Sequence, residues 1–110
     1  MNVNTQGWRD YITDQYVTQK DTFGFDGTHI DTLGQTVKKD ASGNSVDLTD
    51  GLTALVNETA SKTSTATGIN LPDGAGTDKI GPSSASYIYT ELWDHNETNQ
   101  QVASYLQGAR

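Results

Sequence analysis

Short β-type runs alternate with helix-period runs along this chain, and that alternation restricts the available folds more than any other feature of the sequence. Trp8, Tyr11, Ile12 and Tyr16 recur at helical spacing behind Thr5, a candidate N-cap, and predict a helix over roughly residues 6–19 that packs through an aromatic stripe. Residues 25–31 (FDGTHID) follow Gly24 with turn formers around them and alternating character, which suits a strand carrying Phe25, Gly27, His29 and Asp31 on one face. Residues 34–47 have the Gly, Ser, Asn, Asp and Lys content of a solvated loop. Beyond them Asp47 or Thr49 can cap a helix with Leu52, Leu55 and Val56 as its apolar stripe, fading in the run SKTSTATG. GINL (68–71) reads as a short strand stopped by Pro72, and SYIYTEL (86–92) as another, with Tyr87, Tyr89 and Glu91 on one face. Between them the turn-rich stretch after Pro72 has room for one helical turn around Asp78 to Ile80. From a cap near Asn96 or Thr98, the residues Val102, Tyr105 and Leu106 predict a last helix that Gly108 ends.

Parallel neighbours need crossover connections, so this order implies an α/β fold with about three parallel strands and helices outside them. Neither an internal repeat nor a domain boundary is evident, and residues 1–110 read as one segment. Hydrophobic residues make up 33% of the chain, below the usual share of a soluble domain, so the core of 110 residues alone would be thin.

Seven basic against fourteen acidic residues give a net charge of −7, which argues against nucleic acid or an anionic membrane as partner. A neutral, hydroxyl-rich ligand such as a sugar tolerates that surface. With no cysteine there is no disulfide framework and no thiolate metal site. The acidic, Gly-containing run DASGNSVDLTDG lacks the alternate-position spacing and closing Glu of an EF-hand loop. No apolar run has membrane-spanning length, and the first residues lack a signal-peptide pattern, so a secreted parent would carry its signal upstream of Met1. The sequons at Asn57 and Asn96 matter only on a eukaryotic secretory route.

In a parallel α/β sheet functional groups gather where strands end at their carboxyl edge, and in this reading Asp31 and Glu91 both end strands. Glycosidic bond cleavage uses such a pair, one group protonating the leaving oxygen while the other attacks the anomeric carbon or activates water. A chain with fourteen acidic residues places some at strand ends by chance, so spacing alone does not single the two out. Asp26 falls on the opposite face and reads as a structural carboxylate. His29 shares the face of Asp31, either bonding it or a sugar hydroxyl or serving as a satisfied core histidine. Trp93 and Tyr89 flank Glu91. Trp93 could stack on a pyranose ring, whereas Tyr89 reads as ordinary packing; Asp94 and His95 read as loop residues.

The segment GFDGTHIDTLGQ closely resembles the nucleophile-bearing strand of glycoside hydrolase family 66, the dextranases and cycloisomaltooligosaccharide glucanotransferases, whose pattern runs much like GFDGxHxDxLG. GWRDYITDQY resembles the helix before that strand, DASGNSVDL the loop after it, LTALVNETA the following helix, and GINL the strand that carries an Asn. SASYIYTELWDHNET is similar to the acid/base strand of the family, so the likeness covers most of the chain. Thr28 departs from it, standing where a bulky residue is common.

The resemblance implies a segment of a (β/α)8 TIM barrel, about three parallel strands with flanking helices, since a whole barrel needs about 250 residues. It implies a retaining hydrolase or cyclising transferase acting on α-1,6-glucan, with Asp31 as nucleophile and Glu91 as general acid/base. It places His29, Asn70 and Trp93 at the substrate, with α-glucan or isomaltooligosaccharides as partner, an extracellular parent enzyme, and no cofactor or metal. The 110 residues lack the sugar-contacting loops of the other barrel strands. By themselves they are therefore expected to be inactive, the alternative being a non-catalytic carbohydrate-binding or structural piece of that fold. Bare sheet edges would favour self-association.

Overall fold

The computed structural model describes residues 2–31, 33, 39–72, 80, 83–91 and 98–108, with the side chains of Tyr105, Leu106 and Gly108 excepted. Among these the elements run α1 (Gln6–Phe23), β1 (Gly27–Ile30), α2 (Thr49–Thr63), β2 (Ala66–Asn70), β3 (Tyr87–Tyr89) and α3 (Asn99–Gly108). Asp78 and Lys79, most of the helical turn expected there, lie outside the described residues, as do Trp93, Asp94, His95 and Asn96.

Helix α1 starts where the sequence places it, with Thr5 in an extended N-cap conformation, though its side chain makes no capping bond. The helix runs past residue 19 because nothing breaks the pattern before Gly24, which takes the left-handed conformation (φ 69°) and donates its N–H to the Lys20 carbonyl. Trp8, Ile12 and Tyr16 pack against the core, but Tyr11 is 61% exposed. The helix turns its Arg9 and Thr13 flank toward α2, and the 3.6-residue period carries Tyr11 to the far side.

The contact between α1 and α2 is partly polar. Arg9 is nearly buried and donates from Nε to both carboxylate oxygens of Glu58, at 3.1 and 3.2 Å, and from a terminal nitrogen to the Val3 carbonyl at 2.9 Å. Lys62 reaches back to Asp14 at 3.0 Å and Asp10 at 3.3 Å. The segment before α1 crosses α2 at Gly51, where a Cβ would come within 2.8 Å of the Asn4 and Val3 backbone, so only glycine fits.

The N-cap position of α2 is Leu48, neither Asp47 nor Thr49, and it makes no side-chain cap bond; Asp47, one residue earlier, accepts the Thr49 N–H at 2.9 Å. The helix runs through Thr63, and its buried threonines find acceptors in the preceding turn, Thr59 at Leu55 and Thr63 at Thr59. Ser64, in the left-handed conformation (φ 53°), stops it. Strand β2 thus begins at Ala66, two residues before the expected start. The last helix begins with a reciprocal cap: Thr98 Oγ1 accepts the Gln101 N–H, and the Gln101 side chain accepts the Thr98 N–H.

The three strands form a sheet in the order β1-β2-β3, parallel throughout, with Ile30 level with Ile69 and Ile69 level with Ile88. That row faces the helices, and Ile30 and Ile69 join Val3, Leu33, Leu55, Val56, Leu71 and Ile80 in the core. The other face carries Gly27, His29 and Asp31 of β1 and its end, together with Tyr87 and Tyr89 of β3, all exposed. Helix α2, which connects β1 to β2, packs against β2 and against α1. Among the described residues the outer edges of β1 and β3 are unpaired.

Between β1 and α2 the described part of the loop is a tight turn. Lys39 and Ser45 form an antiparallel bridge, and one Asp40 carboxylate oxygen accepts the N–H groups of Ser42 and Asn44 at 2.8 and 2.9 Å. The Asp40 carboxylate thus closes its own turn through backbone donors.

Candidate functional site

All three strands run the same way, so their carboxyl ends open on one rim, and the register decides which residues share it. Asp31 follows β1, Asn70 ends β2, and Glu91 lies two residues past the end of β3. Period-two alternation turns all three side chains to the face away from the helices.

Asn70 is the centre of the cluster. It is 3% exposed, and its Nδ2 donates to Asp31 Oδ1 at 2.8 Å and to Glu91 Oε2 at 3.3 Å. Those two bonds, laid end to end, set an upper limit of roughly 6 Å on the separation of the two bonded carboxylate oxygens. Strands β1 and β3 are themselves two spacings apart, roughly 10 Å. The carboxylates therefore lean toward each other over the middle strand. Among the described residues Asn70 Oδ1, which is buried, has no hydrogen-bond partner.

One step deeper on the same face, His29 Nδ1 lies 3.3 Å from the Tyr87 hydroxyl, and the two rings stack with centroids 6.0 Å apart. Gly68 of β2 lies directly beneath. A Cβ there would fall 2.0 Å from Tyr87 Cζ, so the bare backbone makes the slot for the ring. His29 is exposed and engaged by Tyr87, and Tyr89 is 52% exposed on the same face.

Asp31, Asn70 and Glu91 are thus brought together, His29 sits behind them with Tyr87, and Trp93 is outside the described residues. Asp26 lies exposed ahead of β1, at the end remote from Asp31. Tyr87 and Gly68 are the neighbours that sequence reading missed as parts of the site. Their shared level with His29 follows from the strand register, which no single segment displays. Among the described residues no group of three His, Cys, Asp or Glu side chains could hold a metal ion, and no helix is long and apolar enough to cross a membrane.

The model of Glycosyl hydrolase family 66 matches residues 1–110. Among curated proteins, the chain is 30% identical over 116 residues to a cycloisomaltooligosaccharide glucanotransferase from Niallia circulans. It is 28% identical over 115 residues to a second protein of that name and organism. Each alignment takes in 94% of this chain and 12% of the relative, so the chain spans about an eighth of the length of the curated relatives it matches.

Proposed function

The chain belongs to glycosyl hydrolase family 66, and from that membership we propose that it carries the two catalytic carboxylates of a retaining enzyme acting on α-1,6-glucan. The observation that supports this most directly is the single Asn70 amide bonded to both Asp31 and Glu91 at the carboxyl ends of parallel strands.

In this reading an Asp31 oxygen attacks the anomeric carbon while the bond to the glycosidic oxygen breaks, and Glu91 gives that oxygen its proton. The product is a glycosyl ester on Asp31. Glu91, now ionised, takes a proton from water or from a hydroxyl of the same glucan chain, whose oxygen displaces Asp31 from the sugar. Water gives endo-hydrolysis, and the chain's own hydroxyl gives a cyclic product. Carboxyl groups about 5–5.5 Å apart suit this double displacement, whereas inversion needs about 6.5–9.5 Å to admit a water.

His29 and Trp93 are assigned to sugar contacts, and Asn70 meets the substrate through the carboxylates it holds. The partner is α-glucan or isomaltooligosaccharide, met outside the cell by a secreted enzyme. The sheet itself is read as part of a (β/α)8 barrel, a reading supported by the sequential parallel order of its strands. For the 110 residues taken by themselves, the open face with exposed Tyr87 and Tyr89 favours a second reading, a non-catalytic carbohydrate-binding piece of the same fold.

In the full-length protein, Asp31→Asn and Glu91→Gln should each lower dextran cleavage by several orders of magnitude with an unchanged circular dichroism spectrum. Activity kept by either variant would sink the assignment. The 110-residue chain alone should release no isomaltooligosaccharides from dextran, and their release would count against the second reading.

A further inference from the structure

We infer that Asn70 is a positioning residue kept at the expense of stability: its one amide group sets the spacing of Asp31 and Glu91, and holding it there leaves its own buried carbonyl without a partner among the described residues. The inference rests on the catalytic reading of those two carboxylates.

Three features carry it. The first is the orientation of the Asn70 side chain. The nearer group facing it is Asp31, which attacks as the ionised carboxylate and only accepts, so the NH₂ end must point at it and the Oδ1 end must point away. The second is what lies on the other side. Asn70 is almost wholly buried, and among the described residues no donor reaches Oδ1. A buried acceptor without a partner destabilises a fold, and the usual remedy, turning the amide round, would set a carbonyl oxygen against the ionised Asp31. The third is the position. Asn70 ends the middle strand, between the strands that carry the pair, so one planar group reaches both sides.

Asp31 and Glu91 stand at the ends of the two outer strands, and the shared donor between them ties their positions together. An apolar side chain of similar volume would remove the stranded carbonyl, while Asp31, which is exposed, and Glu91, which is partly so, could exchange the lost bond for water. The fold would gain and the site would lose. A residue with a merely structural role does the reverse.

The test uses the full-length protein with dextran as substrate. In Asn70→Leu, kcat should fall about 100-fold, the scale of losing one preorganised donor, with KM changed by less than about threefold. The melting transition of the domain that carries it should rise by about 2 °C. Asn70→Asp has the same shape but no NH₂ donor, and should lose at least as much kcat. If Asn70→Leu keeps kcat within about threefold of wild type while Asp31→Asn and Glu91→Gln are inactive, the positioning role is overturned and the catalytic reading stands. A lowered melting temperature accompanying the loss of kcat would make Asn70 a structural residue and overturn the inference equally. Activity retained in Asp31→Asn or Glu91→Gln would overturn the catalytic reading and take the role of Asn70 with it.

Discussion

Asp40 shows how one side chain can organise a loop that composition alone describes only as solvated. The hydrogen bond from the Asn44 side chain, followed by that from the Asn44 backbone, holds its carboxyl below the usual value of 3.8. A lowered carboxyl pKa means that the turn's stabilisation is fully present above pH 3.8 and is lost as pH falls through the lower value of the folded state. The Ser42 and Asn44 amide resonances should therefore titrate together with a midpoint below 3.8, and a midpoint at or above that value would contradict the assignment. Asp40→Ala should abolish the transition. At this scale the sequence is legible where a residue's job is local. Asp31 and Glu91 stand out because each closes an alternating run. Asn70 was visible as a residue near them, but its double bond joins positions 39 and 21 residues away, and no local pattern encodes that.

The elements are held by one layer of contact between the sheet and α2, with Ile69 at its centre and wholly buried. Ile69→Ala should cost about 2–5 kcal/mol, read as a lowered urea midpoint, because its position on the middle strand leaves little room for neighbours to collapse into the gap. A loss below about 1 kcal/mol would mean that the sheet and α2 repack freely. Element type was legible throughout, since apolar residues at periods of two and 3.6 mark strands and helices regardless of tertiary context. The boundaries were less so. Gly24 announces the end of α1, but the end of α2 is a left-handed Ser64, a conformation that serine seldom adopts and that a sequence gives no reason to expect. In the run where the helix is expected to fade, Thr63 still back-bonds within the helix and Thr67 lies in the strand that follows.

As a whole the molecule presents a sheet covered on one side, with exposed aromatic residues on the other and two outer edges that are unpaired among the described residues. Free strand edges pair with whatever offers a matching ladder. The 110-residue chain should therefore sediment with a weight-average mass that rises with concentration, and a constant monomer mass over a wide range of loading would remove this expectation. The parallel α/β class followed from the alternation of elements, because chain direction and crossover length are local properties. Closure into a barrel was not legible and is a matter of what lies beyond β1 and β3. The bridge over Asn70 has a further bearing on how such a chain can change over time. In the proposed reading the gap between its two acids follows from strand spacing and from the reach of three short side chains. The turn at 39–45 can then trade sequence without disturbing the pair, so new substrates can be explored in such turns while the two acids stay put.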